Sequence, residues 1–343
     1  MKKIKLAVVG ATGLVGQTII KVLEEKKLPI DEYVFFASSK SAGKEINLLG
    51  NTYIVQELSE KSFDSNFDFA IFSAGANVSK KFAPIAVSKG CIVIDNSSYF
   101  RMNKDVPLIV PEVNIANVQN NNGIIANPNC STIQAVVALK PLDDKYNIKR
   151  IVYNTYQAVS GAGYKGVKDL INGFKNFDEE IPIIENQKSD YELQKFKVPI
   201  FNNCIPHIDV FLDSGYTKEE EKMINETRKI LNKPNLKITA TTVRVPVINS
   251  HCESINIEFE KEFKLKELKQ IFKKSPGIIL KDDFEVYPTT FDSNNQDNVL
   301  VGRIRRDFSV SSGINLWVVA DNLRKGAASN AIQILETLIK EQK

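Results

Sequence analysis

The stretch Lys5-Leu6-Ala7-Val8-Val9-Gly10-Ala11-Thr12-Gly13-Leu14-Val15-Gly16 decides the architecture of the first part of the chain. Lys5 to Val9 is a continuous β-type run, three glycines then make a turn, and Leu14 to Leu23 places apolar residues at helical spacing. A strand, a phosphate-cradling loop and a helix whose N-terminus faces an anion form the first unit of a Rossmann-type dinucleotide-binding domain. The pattern G-x-x-G-x-x-G is weak in isolation; its position between a strand and a helix gives it weight.

Outward from this turn, the second strand, Tyr33 to Ala37, runs into Ser38-Ser39-Lys40-Ser41-Ala42-Gly43-Lys44. An NAD-preferring site would place Asp or Glu at this strand end for the ribose 2′-hydroxyl, whereas hydroxyls and lysines suit a 2′-phosphate, so NADP is the expected cofactor. A merely polar loop has the same composition. Phe69 to Ser73 and Ile92 to Ile94 read as further buried strands around a helical stretch, Val78 to Ser88. Ala74-Gly75-Ala76 follows Ser73 at a strand's carboxyl end, the edge where open α/β sheets bind ligands. Arg101, on the loop after the next strand, is either an anion clamp with a bidentate fork or a surface ion pair.

Asn127-Pro128-Asn129-Cys130-Ser131-Thr132-Ile133-Gln134 joins an apolar run ending at Ala126 to a helix-like segment, Thr132 to Leu139. Cys130 therefore belongs on a strand-to-helix corner, where backbone N–H groups and the helix dipole favour a thiolate. A cysteine can equally be a small buried hydrophobe, and the corner alone does not choose.

After about residue 147 the pattern changes. Arg150 to Ala158, Lys237 to Val247, Ser254 to Phe259, Val299 to Ile304 and Ile314 to Val319 alternate as half-buried antiparallel strands do, with helices at Lys218 to Leu231 and Leu265 to Lys273. A second, α+β domain follows, and residues 325 to 341 close the chain as an amphipathic helix with Ala328, Ile332, Leu335 and Ile339 on one face. Gln157 precedes a glycine-rich loop through Ser160, Gly161 and Gly163, which is either a site for close cofactor approach or a tight turn. Glu219 and Lys222 are spaced i,i+3, usually a solvated ion pair. Arg244 and His251 flank a turn through Pro246 and Asn249, which puts them at one end of a hairpin; a carboxylate-gripping cation and a proton-moving imidazole fit there, as does a structural histidine.

Composition bounds these readings. With 343 residues, 43% hydrophobic and 25% charged, the chain is long enough for two cores and ordinary for a soluble enzyme. Its net charge of +4 is spread along the chain, which argues against a nucleic-acid track. No run of about 18 apolar residues could cross a bilayer, and Met1-Lys2-Lys3 with Ile4 to Val9 is too short for a signal peptide, so a cytoplasmic address is expected. Cys91, Cys130, Cys204 and Cys252 form no metal-type spacing, and no metal is expected.

Taken together, Gly-Ala-Thr-Gly at Gly10, Ser-Ala-Gly-Lys at Ser41, Asn-Ser-Ser-Tyr-Phe-Arg at Asn96, Asn-Pro-Asn-Cys-Ser-Thr at Asn127 and Tyr-Gln-Ala-Val-Ser-Gly-Ala-Gly at Tyr156 closely resemble the aspartate-semialdehyde dehydrogenase family. The likeness continues through Glu-Glu-Glu-Lys-Met at Glu219, Val-Arg-Val-Pro-Val at Val243 with Ser250-His251, and Asp-Asn-Leu-Arg-Lys-Gly-Ala-Ala at Asp321. The resemblance implies an NADP-binding domain of residues 1–130 plus 322–343. It also implies a catalytic and dimerisation domain, 131–321, on a largely antiparallel sheet like that of glyceraldehyde-3-phosphate dehydrogenase. By position it makes Cys130 the acyl-thioester nucleophile, Gln157 the residue that positions it and its substrate, and His251 the acid/base. Arg244, Glu219 and Asn129 become substrate binders, and Arg101 and Lys222 phosphate binders. Gly10, Thr12, Gly13, Leu14, Val15, Gly16, Lys40, Ser41, Ser160, Gly161 and Asn322 become NADP(H) contacts, and Ser73 and Gly75 join them as candidates from their place at the ligand edge of the sheet. Lys40 departs from the family's frequent arginine, keeping the charge without the planar fork. His207 matches no family role and is read as structural.

The implied reaction interconverts aspartate 4-semialdehyde plus phosphate with aspartyl 4-phosphate, reductively in the biosynthesis of lysine and diaminopimelate, threonine, methionine and isoleucine, in a homodimer or homotetramer. N-acetyl-γ-glutamyl-phosphate reductase uses the same cysteine chemistry, but its nucleophile typically follows Pro-Gly rather than Pro128-Asn129. An extended short-chain dehydrogenase needs Tyr-x-x-x-Lys, offered by Tyr164/Lys168 and Tyr191/Lys195, and about one such match is expected by chance among ten tyrosines. A non-catalytic NADP sensor is the remaining alternative.

Overall fold

The computed structural model describes residues 3–177 and 192–341; Tyr191, of the second Tyr-x-x-x-Lys spacing, lies outside them. The chain divides into two compact units, one of residues 1–137, 225–234 and 324–343, the other of residues 138–224 and 235–323.

The first unit contains strands β1 (Lys5–Val9), β2 (Glu32–Ala37), β3 (Glu45–Leu48), β4 (Asn51–Ile54), β5 (Gln56–Glu57), β6 (Phe69–Phe72), β7 (Ile92–Asp95) and β8 (Ile124–Ala126). Six of them form a wholly parallel sheet in the order β5-β2-β1-β6-β7-β8, while β3 and β4 pair as a separate hairpin. Leu6, Ala7, Val8 and Val9 are fully buried because β1 is central and covered on both faces, which is why it reads as an unbroken apolar run. From β1 the chain steps to β2 on one side and returns to β6 on the other, so the carboxyl ends of β1 and β6 flank a topological switch point. Gly10 takes φ 85°, and a Cβ there would lie 2.4 Å from the Ser73 carbonyl oxygen. Only glycine lets the two strand ends approach this closely.

Helix Leu14–Lys26 buries Ile19, Ile20, Val22 and Leu23 in a core shared with Phe35, Ile71 and Ile94 and with Ile332, Leu335 and Ile339 of the closing helix. Each such side chain contributes roughly 1.5–3 kcal/mol. That closing helix begins as a π-helical turn, Arg324–Ala328, and continues as Ser329–Glu341. Lys325 is fully buried, its ammonium held by Glu112 (2.6 Å), Gln333 (2.8 Å) and Asn330 (3.2 Å). A buried charge needs such partners.

The second unit is built on β9 (Ile148–Gln157), β10 (Lys237–Arg244), β11 (His251–Phe259), β12 (Ile278–Leu280), β13 (Val299–Arg306) and β14 (Gly313–Ala320), in the order β10-β9-β11-β14-β13-β12. The three inner pairings are antiparallel and the two outermost parallel, giving a mixed sheet. Its register places Arg244 opposite Gln157, Cys252 opposite Tyr156 and His251 opposite Ala320. Gln157 and Arg244 end their strands where His251 begins its own, so all three emerge at one end of the sheet.

Arg244 and His251 do not flank a hairpin, as their spacing had implied. Strand β9 lies between β10 and β11, and residues 245–250 cross over its end. The crossing is paired there: Val245 N–H donates to the Gln157 carbonyl (3.0 Å), and the N–H groups of Val159 and Ser160 donate to the carbonyls of Val247 (2.8 Å) and Ile248 (3.1 Å). The loop after Gln157 becomes a 3-10 turn, Val159–Ala162, then a helix, Gly163–Lys175. Gly166 and Gly173 inside that helix weaken its sequence signal by about 1 kcal/mol each relative to alanine. Gly166 is there for space, since a Cβ would lie 2.7 Å from the Val159 carbonyl oxygen. Among the described residues no helix is long and apolar enough to cross a membrane.

Candidate active site

In the first unit, β8 ends at Ala126 and helix Cys130–Tyr146 begins at the cysteine itself, two residues before the helical run expected from sequence. Cys130 is half-buried, at the electropositive end of the helix. Its corner is rigid: buried Asn127 donates to Asn96 Oδ1 (2.8 Å) and accepts from Asn330 Nδ2 (2.7 Å). Asn129, one of the residues expected to bind substrate, is buried, and its carbonyl accepts the Ile133 N–H at 2.9 Å. None of the four cysteines is in a disulfide. Burial, helped by Asp68 and Glu253 respectively, pushes the Cys91 and Cys252 thiols up to about 12 and leaves them unreactive.

Arg101 is not a surface ion-pair residue. It is buried, with Nε donating to the Asn127 carbonyl (2.9 Å), Nη2 to the Asn96 carbonyl (2.8 Å) and Nη1 to Glu226 Oε1 (3.0 Å). The guanidinium is thereby fixed beside the residues leading into the cysteine corner.

The second unit gathers Gln157, Glu219, Lys222, Arg244 and His251. Gln157 Nε2 donates to Glu219 Oε1 at 3.0 Å, and Lys222 Nζ donates to Glu219 Oε2 at 3.1 Å and Asp209 Oδ2 at 2.7 Å. Glu219 is only 5% exposed, so the i,i+3 pair is part of a buried polar cluster rather than a solvated face. Burial disfavours the Lys222 charge, but Glu219 and Asp209 outweigh it and hold the ammonium above its usual range. Arg244 Nη1 donates to the Ala158 carbonyl (2.7 Å), and the Ala158 N–H donates to His251 Nδ1 (3.0 Å). Both side chains lie against Gly161, where a Cβ would come within 3.0 Å of Arg244 Nη1 and 3.3 Å of the imidazole. Burial first and Arg244 second, against the pull of Glu219, bring His251 down to about 3. The imidazole is neutral, and because Nδ1 accepts, its proton is on Nε2.

The residues expected to hold a dinucleotide fall in two groups. In the first unit, helix Leu14–Lys26 starts at Gly13 with no side-chain cap and no acidic residue in its first turn, leaving N–H groups of Leu14, Val15 and Gly16 for an anion. Thr12 lies in the same turn, and Ser73 and Gly75 lie at the end of β6. Lys40 and Ser41 occupy a 3-10 turn after β2, whose Phe36 carbonyl accepts the N–H groups of Gly10 (2.8 Å) and Ala11 (3.2 Å). These residues fit a bound pyrophosphate and an adenosine ribose at neighbouring strand ends. In the second unit, Asn322 donates to Ser160 Oγ (3.0 Å) and accepts the Ser250 N–H (2.8 Å), bringing together three blocks far apart in sequence.

Sequence reading passed over Glu226. The positions 219, 222, 226 and 229 put four charged residues along one face of helix Lys218–Ile230, and that spacing was the available signal. Tyr164, of the first Tyr-x-x-x-Lys spacing, is exposed on helix Gly163–Lys175 in the second unit.

Residues 5–121 match the family model described as semialdehyde dehydrogenase, NAD binding domain, and residues 139–325 the one described as semialdehyde dehydrogenase, dimerisation domain. The chain is 50% identical to the aspartate-semialdehyde dehydrogenase of Aquifex aeolicus, over 98% of each chain. A crystal structure of aspartate semialdehyde dehydrogenase II from Vibrio cholerae complexed with ASA superposes with a TM-score of 0.92 at 44% identity, covering 99% of both chains. That of the Candida albicans enzyme with NADP gives 0.75 at 26% identity, covering 98% of both. With both parts matched and half of its residues shared along nearly its whole length with an enzyme of that name, the chain belongs to the aspartate-semialdehyde dehydrogenase family.

Proposed function

We propose that the protein catalyses the NADP-dependent interconversion of aspartyl 4-phosphate with aspartate 4-semialdehyde and phosphate, working reductively in amino-acid biosynthesis. The observation that carries this reading is the buried cluster of Gln157, Glu219, Arg244 and His251. It offers a cation for an α-carboxylate, a carboxylate for an amino group and a neutral N–H for a carbonyl oxygen. A substrate with all three groups is an amino-acid aldehyde.

Cys130 supplies the thiolate, which attacks the acyl phosphate and expels phosphate, leaving an acyl thioester on the sulfur. Arg101 and Lys222 bind the phosphate, Arg244 grips the α-carboxylate and Glu219 receives the amino group. When bound, the nicotinamide supplies the hydride that reduces the thioester. His251 donates a hydrogen bond from Nε2 to the oxygen as negative charge develops there, and collapse of that oxyanion then expels the Cys130 thiolate and releases the aldehyde. Gly10 to Gly16 hold the pyrophosphate, and Lys40 with Ser41 the 2′-phosphate. The bound NADP of the Candida albicans relative supports that choice over NAD.

A homodimer completes the reading. One face of the second sheet exposes Tyr156, which packs against Trp317 at 5.4 Å between ring centroids, and Tyr287 is exposed on the segment after β12. Tyr287 and Trp317 line an open cavity of about 650 Å³ that also includes Cys252, Ser254 and Arg305. A soluble monomer rarely leaves aromatic sheet surface uncovered. Turnover of aspartate semialdehyde with phosphate and NADP, assayed beside N-acetylglutamate semialdehyde, tests the function; activity on the second substrate alone would overturn it.

A further inference from the structure

The carboxylate of Glu226 is 1% exposed and spans two partners in the first unit. Its Oε1 accepts Arg101 Nη1 at 3.0 Å, and its Oε2 accepts the backbone N–H of Asn129 at 2.7 Å, one residue before Cys130. Three residues further along the same helix, the Lys229 ammonium donates to the carbonyls of Arg101 (2.7 Å), Asn103 (2.7 Å) and Val106 (2.8 Å). Residues 225–234 thus tie the loop that carries Arg101 at two points, and Glu226 also reaches the cysteine corner through the Asn129 N–H.

An ion pair that served only to neutralise Arg101 would need one carboxylate oxygen. The second is spent on the amide that sets where helix Cys130–Tyr146 begins. Asn129 is also the residue whose carbonyl accepts the Ile133 N–H at 2.9 Å, so its peptide orientation decides where the first helical residue points. The guanidinium is meanwhile held by the Asn127 carbonyl at 2.9 Å, from the other side of the same corner. Cation and nucleophile are therefore referenced to each other through the Glu226 carboxylate as well as through the Asn127 carbonyl.

We propose that Glu226 is a positioning residue that fixes the offset between the phosphate-binding Arg101 and the Cys130 sulfur, an inference that rests on the function proposed above. Its geometry acts on the approach of sulfur to the acyl carbon, since addition of the thiolate to that carbon and departure of phosphate from it tolerate little error in the placement of one against the other. Phosphate binding itself is left with the Arg101 charge, which Glu226 partly compensates. Loss of the carboxylate should therefore lower kcat without weakening the grip on phosphate.

The test is steady-state kinetics on the full-length protein, with phosphate, aspartate semialdehyde and NADP varied in turn. Glu226→Gln has a single acceptor oxygen and cannot serve both partners; its kcat is expected to fall about tenfold or more, with the KM for phosphate unchanged or lower. Glu226→Asp keeps the charge beside Arg101 but is a methylene shorter, and should show the same split with a smaller loss. A folded variant of either kind that keeps the parental kcat overturns the proposal, as does a rise in phosphate KM with kcat unchanged. If neither variant folds by thermal melting, Glu226 is a structural partner of Arg101 and the proposal also falls. Failure of the parent to turn over aspartate semialdehyde would instead sink the function on which the proposal rests.

Discussion

The Ala158 N–H donates to Nδ1 of His251 at 3.0 Å, which leaves the imidazole one proton, on Nε2. The ring is completely buried beside Arg244, and both circumstances hold it neutral. What the ring presents is therefore an N–H donor at Nε2.

Stability should carry a signature of this ring. His251 titrates near 6.5 when unfolded and at about 3 when folded, so below 6.5 the unfolded chain takes up a proton that the folded one refuses. The contribution is intact above 6.5 and is lost as pH falls toward 3. Between pH 7.5 and 5 the parent should lose up to about 2 kcal/mol more than His251→Asn, measured by denaturant unfolding. Equal losses would show that the folded ring titrates normally.

Cys130 is the only one of the four cysteines to begin a helix. Cys130→Ser should bind NADPH as the parent does, by fluorescence titration, while turnover falls at least about a thousandfold. Cofactor binding together with undiminished turnover would leave the sulfur without a catalytic part.

Lys40, exposed beside the end of β2, is expected to meet the 2′-phosphate. Lys40→Ala should raise the KM for NADPH about tenfold, the worth of one charged hydrogen bond, and leave that for NADH unchanged. Parallel increases for both cofactors would mean that the lysine does not distinguish them.

Placing charge on the aromatic sheet face should separate protomers. Trp317→Arg is predicted to convert dimer to monomer in light scattering at micromolar concentration, because an unpaired guanidinium would be buried at the interface. A monomeric parent, or an unaffected dimer, contradicts this assignment of the face.

The parallel sheet and its glycine turn were legible because their causes are local. Strands buried on both faces must be apolar throughout, and Gly10 must tolerate φ 85° with the Ser73 carbonyl against it. Helix Gly163–Lys175 was hidden because Gly166 satisfies a packing need with the Val159 carbonyl that no periodicity reveals. The order of β9, β10 and β11 was likewise out of reach, since a six-residue connection suits a hairpin as well as a crossing over a third strand.

By itself the sequence determined the class of both domains, the cysteine corner and the blocks that mark the family, because strand burial, glycine turns and helix starts are written in consecutive residues. Tertiary structure alone decided that Glu226 reaches both Arg101 and Asn129, and that Ala158 fixes the tautomer of His251. Those relationships depend on which buried donor finds which acceptor across separations of 125, 97 and 93 residues. A chain specifies such pairings only through the fold that brings them within three ångströms.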